Sequence, residues 1–255
     1  MQDCQTALTD SDWKYIQPIV DNGRKRKTCL RMVVNAILHV GRTGTQWRNI
    51  DSQYHPHLPV ILYYYYQWQH NGVWSRILSA LVETFRQKNG DCLKPSRAAI
   101  DSQSVKSVPF VSKDKGRDGS KYINGRKRHI AVDKYGLPIA VAVTAANIHD
   151  SKAGAELLWQ MEGNERLELF CLDKAYRGRF LETLNLYGWK GEIEKKPDSA
   201  TGFVPQKGRW QVERSFAWMN FYRRLSKDYE KTTASAVTFI QMAFINMILT
   251  KIRRL

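Results

Sequence analysis

AAIDSQSVK, residues 98–106, runs three small or apolar residues straight into a carboxylate, Asp101, and GRKRHIAVDKYGLPIAVAVTAAN, residues 125–147, follows after a polar gap. The first stretch reads as a buried strand that delivers a charge to its end or its exposed face. The second reads as two strands, carrying Ile130 and Val132 and then Ile139, Val141 and Val143, joined at Lys134-Tyr135-Gly136. An unpaired buried carboxylate costs on the order of several kcal/mol, so something must neutralise Asp101.

Downstream the pattern alternates. Asn147 to Asp150 reads as a turn with Asp150 as helix cap, SKAGAELLWQM (151–161) as a helix, and LELFCLD (167–173) as a short buried strand ending on Asp173. A helix, GRFLETLNLY (178–187), a strand, KGEIEKK (190–196), and a helix within RWQVERSFAWMNFYRRL (209–225) follow. Three strands, then helix and strand in turn, is the ribonuclease H-like order: an α/β fold with a mixed sheet flanked by helices. In that fold the first and fourth strands are neighbours and the last helix crosses their ends, which brings Asp101, Asp173 and Glu213 together. A cluster of hard oxygen donors suits Mg²⁺ or Mn²⁺, and two such ions activate an attacking hydroxyl and stabilise a leaving oxygen in phosphoryl transfer. Metal would then neutralise Asp101. Asp133 reads as a hairpin-turn residue and Asp198, in PDSATG, as solvated. His149, between a strand and a helix, reads as a pocket residue, a capping partner or a half-buried imidazole, with the pocket preferred.

Upstream of the linker-like RQKNGDCLKPSR (86–97) the chain reads as helices. KTCLRMVVNAILHV (27–40) has helical apolar spacing and ends at Gly44; TQWRNI is a short turn; PVILYYYYQWQ (59–69) is a second helix stopped at Asn71-Gly72; VWSRILSALVETF (73–85) is a third. The layout fits either a helix-turn-helix, with residues 59–69 and their Tyr64 and Tyr65 reading DNA, or plain helical packing, with Trp47, Trp68 and Trp74 in the core. This predicts a helical domain over 1–90 and a catalytic domain over 91–255. The C-terminal ASAVTFIQMAFINMIL (234–249) is apolar around most of its circumference, so it is buried on several sides, either within the catalytic domain or partly against another subunit.

Charge narrows the partner. Lys and Arg number 40 against 24 Asp and Glu, a net +16. Residues 1–90 hold 11 basic and 6 acidic side chains, leaving 29 and 18 for the rest, so both parts attract polyanions, nucleic acid foremost. The four cysteines have no metal-knuckle or disulfide spacing, the N-terminus has no signal-peptide core, and no apolar run reads as a membrane span. These features predict a soluble cytoplasmic protein associated with the nucleoid, with no membrane partner.

IDSQSVKS, GRKRHIAVD, AANIHDS, LDKAYRG and RWQVERSFAWMNFYRRLSKDYE, with GRTGTQWRNI and WQHNGVW upstream, resemble successive blocks of bacterial insertion-sequence DDE transposases, in particular the insertion-sequence-five family. The resemblance spans nearly the whole chain. It implies that Asp101, Asp173 and Glu213 are the catalytic triad holding two divalent ions. It implies hydrolysis at transposon ends, transfer of the freed 3′-hydroxyl into double-stranded target DNA, and a homodimer or larger homo-oligomer on DNA. Relatives carry a helix signature of Tyr, Arg, Glu and Lys; here Arg209 and Glu213 match, while Gln206 and Asn220 replace the outer two. Only 39 residues separate Asp173 from Glu213, too few for the large β-strand insertion of some relatives.

Arg209, four residues before Glu213, and Asn220, seven after it, are placed for DNA contact on that helix. Arg126, Lys127 and Arg128 enter a strand whose alternation puts Lys127 opposite the other two, offering phosphate contacts or a solvated edge. Lys106 and Lys174, close in sequence to Asp101 and Asp173, are the better-placed cations. A ribonuclease H-like nuclease or junction resolvase would need the same acids without end-reading helices; a domesticated non-catalytic DNA-binding protein would not need the acids.

Overall fold

The structure is a computed structural model that describes residues 8–193 and 208–255. It divides into two compact units. One comprises the described residues up to Asp91 with Tyr222–Leu225 and Thr238–Leu255; the other comprises Cys92–Phe221 and Ser226–Val237. The expected loop around Asp198, the end of the KGEIEKK strand and Gln206 lie outside the described residues.

The first unit is helical: α1 (Asp10–Val20), α2 (Leu30–Thr43), α3 (Leu58–His70), α4 (Val73–Lys88) and most of α8 (Thr233–Ile252). Helix α1 was not legible in the sequence because it buries only Ile16, Val20 and Asp12 and carries Pro18 inside it. Its start is nonetheless well specified. The Thr9 hydroxyl accepts from the Asp12 amide at 3.2 Å, and the Asp12 carboxylate accepts from the Thr9 amide at 2.8 Å, a capping box. Asp12, 1% exposed, also pairs with Arg253 just beyond α8, which ties the two ends of the unit together. Helix α2 ends at Gly44, whose φ of 74° favours glycine, and Gly72, at φ 64°, starts α4 directly after α3. Residues 44–57 link α2 to α3 through a 3-10 turn at Trp47–Asn49, longer than the three to four residues of a tight helix-turn-helix.

Residues 238–255, expected in the catalytic domain, belong to this unit. A helix apolar on nearly every side needs partners on nearly every side, and the helical layer supplies them. Phe239 meets Trp47 and Tyr65, Met242 lies against Gly41 of α2, Gln241 Nε2 donates to Ser75 of α4 at 2.8 Å, and Asn246 Nδ2 donates to the Leu38 carbonyl at 3.4 Å. Among the described residues α8 is the one helix long and apolar enough to cross a membrane, and it is largely buried inside the protein. A fragment of residues 92–255 should therefore aggregate, because Phe239, Ile240, Phe244 and Ile245 lose their cover, whereas residues 92–237 should stay soluble. Light scattering of the two fragments decides this; equal solubility would remove the argument.

The second unit is a six-stranded mixed sheet. β1 (Arg97–Lys106), β3 (Ile123–Val132) and β4 (Pro138–Ala145) pair antiparallel, and β2 (Gly116–Asp118) continues the edge beside the start of β3. β5 (Leu169–Leu172) and β6 (Lys190–Ile193) add parallel to β1, giving the order β2-β3-β1-β5-β6 with β4 on β3. This is the ribonuclease H-like arrangement. One face, carrying Ala98 and Ile100, packs on α5 (Asp150–Met161) and α6 (Arg179–Leu186) through Leu157, Leu158, Phe180 and Leu184. The other face, carrying Ala99 and Asp101, meets α7 (Trp210–Met219). Strand alternation thus sends Asp101 and its successor Ser102 to opposite sides of the sheet.

Candidate active site

Parallel pairing of β1 and β5 sets Ala99 level with Cys171, so Asp101 and Asp173, each two residues further on, leave the sheet at the same height. Asp101 ends an apolar run and its Oδ1 accepts from the Ser102 amide at 2.7 Å. Asp173 caps a 3-10 turn, Lys174–Tyr176, by accepting from the Lys174 amide. From the far side Arg209, the residue before α7, reaches both acids. Its Nη2 lies 2.8 Å from Asp101 Oδ2 and 3.7 Å from Asp173 Oδ2.

Burial dominates the electrostatics here. It pushes the Asp101 carboxyl above the usual carboxylate range even though Arg209 beside it pulls the other way. For Arg209 burial opposes the charge, but Asp101, Asp173 and Glu213 together outweigh it and hold the guanidinium more firmly protonated than usual. The site is a pair of hard carboxylates already sharing one cationic nitrogen.

Glu213 stands one turn along α7 from Arg209 and is exposed. Among the described residues no three acid, histidine or cysteine side chains gather within ligand distance of one another. The structure brings Asp101, Asp173 and Arg209 together and leaves Glu213 at the rim, sensed through its charge on Arg209. Lys174 is exposed beside Asp173. Lys106 is exposed but lies five residues beyond Asp101, about 16 Å along a strand, so its nearness was in sequence only. Asn220 is exposed at the C-terminal end of α7.

Several expected DNA contacts are occupied by the protein itself. Arg126 is fully buried and bound to Asp228 and to four main-chain carbonyls. Arg128 is buried at 4% exposure and donates to the Lys227 carbonyl; burial lowers its pKa to about 10, against the pull of Asp228. Lys127, on the opposite face as alternation required, pairs with Asp150 at 3.0 Å. Tyr65 is 2% exposed, with its ring 4.9 Å from that of Trp47, and Tyr64 is half-buried against Trp68. The exposed tyrosines of the run are Tyr63 and Tyr66, at 60% and 57%. His149 is exposed and caps α5 through its ring nitrogen, which accepts from the Ser151 amide, so the cap is His149 and Asp150 is the first helical residue.

Sequence reasoning did not find Tyr176, nor the use made of Asp150, since neither residue type at a turn carries a signal of what faces it. It also did not find Arg214, stacked on Trp210 and Trp218 at 4.2 and 4.7 Å and donating to the Tyr135 carbonyl.

Residues 93–248 match the family model described as "Transposase DDE domain". The chain belongs to the DDE transposase family. Residues 8–78 of this DDE-family chain match a second model, "Putative transposase of IS4/5 family". A curated relative, "Putative transposase for insertion sequence element IS402" of Burkholderia cepacia, is 28% identical over 138 residues, which is 51% of this chain and 62% of that protein. The chain thus aligns with less than two thirds of that relative's length.

Proposed function

We propose that this chain is the transposase of an insertion sequence, cutting DNA at the element's terminal inverted repeats and joining the freed 3′-hydroxyl to target DNA. The observation that carries this reading is the level placement of Asp101 and Asp173 at adjacent parallel strand ends around a single cationic nitrogen, within a chain of the DDE family. The donor set fits a divalent cation: two hard carboxylates, one of them kept partly dry, already gather positive charge. Asp101 and Asp173 would hold Mg²⁺ or Mn²⁺, two ions in all, with Glu213 joining from α7. Bound there, the ions supply Lewis acidity at the scissile phosphate.

The chain's own residues do the positioning. Arg209, released from the carboxylates once cations neutralise them, is placed to bind a phosphate oxygen, as is exposed Lys174 beside Asp173. Burial of Asp101 keeps bulk water from one side of the acid. The basic surface supplies affinity that is independent of sequence and falls with salt.

Sequence reading belongs to the helical unit, with α3 as reader. Its outward stripe of Pro59, Tyr63, Tyr66 and Gln67 holds the exposed tyrosines. Replacing Tyr63 and Tyr66 together by Ala should lower affinity for end DNA by about tenfold or more and leave the melting temperature unchanged, because both side chains lie outside the core. Competition binding against scrambled duplex measures this; full discrimination by the double variant would remove α3 from the reader's role. Joining two element ends requires two active sites, so the complex active on DNA contains at least two protomers. Mass measurement of the protein on end DNA tests that, and a fully active single protomer on one end would refute it.

A further inference from the structure

Tyr176 is wholly buried in the core between the sheet and α5. Its ring lies 5.0 Å from that of Phe180, and a Cβ added to Gly154 of α5 would come within 3.1 Å of it. The ring is packed as a phenylalanine would be. Its hydroxyl, however, has no hydrogen-bond partner among the described residues. A buried hydroxyl left so costs about 1–3 kcal/mol, which phenylalanine in the same space would avoid.

What the hydroxyl faces accounts for it. Burial holds its proton well above the ordinary phenol range, and the carboxylates of Asp150, Asp101 and Asp173, in that order, hold it there more firmly, with Arg209 opposing. Three acids therefore surround one O–H. Asp150 comes from the first turn of α5 and is fixed where it stands. Its Oδ1 accepts from Ser102 Oγ at 2.9 Å and lies 3.0 Å from Lys127 Nζ. Ser102 follows Asp101 in β1, so Asp101 meets α7 on one face of the sheet while Ser102 holds Asp150 on the other.

We propose that Tyr176 and Asp150 belong to the acidic site, with the Tyr176 hydroxyl donating to an oxygen held among Asp101, Asp150 and Asp173. That oxygen is supplied either by water or by a DNA phosphate. The inference rests on the reading of Asp101 and Asp173 as cation-holding acids, and adds a third carboxylate and a neutral donor that this reading does not contain. Tyr176 is a donor to the ligand, not a ligand itself. Asp150 supplies charge from the α5 side, opposite the side from which Arg209 and Glu213 approach.

The full-length chain carrying Tyr176→Phe separates the possibilities. Without divalent ions it should melt at the same temperature as the parent or higher, because no hydrogen bond is lost. With Mn²⁺ alone, followed by paramagnetic titration, affinity should fall by about two- to tenfold if the oxygen belongs to water. If the oxygen belongs to a phosphate, the loss should appear only when end DNA is added with Mn²⁺. Asp150→Asn keeps an acceptor for Ser102 and leaves Lys127 its bond to the Ile148 carbonyl at 3.1 Å, and it should weaken Mn²⁺ binding by at least a similar factor. A lower melting temperature for Tyr176→Phe without ions, or unchanged Mn²⁺ binding with and without DNA, overturns the proposal. Asp101→Asn is the control. If it binds Mn²⁺ like the parent, the reading of the acids falls and this inference with it; if it fails to bind while Tyr176→Phe is unaffected, this inference falls alone.

Discussion

Asp101→Asn or Asp173→Asn is expected to reduce cleavage of element ends by well over a hundredfold while leaving end binding largely intact. Altering a partner behind a metal ligand commonly costs about 10–100-fold, so removing a ligand must cost more. Binding persists because it draws on the wider basic surface, and the net charge of +16 changes little with one acid removed. The geometry gives the two variants a shared second signature. Arg209 loses its 2.8 Å partner in Asp101→Asn and its 3.7 Å partner in Asp173→Asn, so Asp101→Asn should tighten non-specific DNA binding more. Glu213→Gln is expected to abolish cleavage too, and it carries a separate risk. Glu213 is exposed at the rim, so near-normal cleavage by that variant would dismiss Glu213 alone, leaving the two aspartates in place. Near-normal cleavage by either aspartate variant would dismiss the active site as a whole.

The acids were legible in the sequence for a reason that did not extend to the cations. An apolar run that ends on Asp101 or Asp173 reports burial, and burial of a charge demands a partner. The run also reports strand order, which set both acids at one end of the sheet. A basic residue carries no such signal. In RKR at 126–128 alternation was read correctly, since Lys127 faces away from Arg126 and Arg128. Which face was open depended on segments about a hundred residues away, near Asp228, and no local pattern reports those. The tetra-tyrosine failed similarly. Four identical residues on one helix leave no periodicity to say which face the core takes, and the core takes Tyr65. Helix α8 was read as apolar all round, which is correct, but its partners were sought in the wrong unit because sequence distance favoured the catalytic domain. Asp150 was read as a cap from its position alone. Its charge instead pairs with Lys127 and Ser102, and the adjacent His149 does the capping.

Arg126 gives the other large effect, and its sign separates two roles. A guanidinium has five N–H donors. In Arg126 all five find acceptors: Nε donates to the Asp114 carbonyl at 3.1 Å, Nη1 to Asp228 Oδ2 at 3.0 Å and the Glu230 carbonyl at 2.8 Å, and Nη2 to the carbonyls of Lys113 and Lys231 at 2.8 and 3.3 Å. One side chain thus ties β3 to the loop before β2 and to the segment that returns after α7. Asp228 is 3% exposed, so Arg126→Met leaves an uncompensated buried carboxylate and four carbonyls without their donor. Breaking a buried ion pair from one side costs about 3–5 kcal/mol, which for a protein of this size lowers the melting temperature by about 6–20 °C. Adding Asp228→Asn should recover part of the loss, because the amide no longer carries the buried charge while its oxygen still accepts from the Glu230 amide. Arg126→Lys should fall between, since three donors cannot serve five acceptors from one nitrogen. A phosphate-binding arginine predicts the reverse pattern: weaker, less salt-sensitive DNA binding and an unchanged melting temperature. Calorimetry and a salt titration of DNA binding on the same variant distinguish the two, and an unshifted melting temperature would refute the clasp.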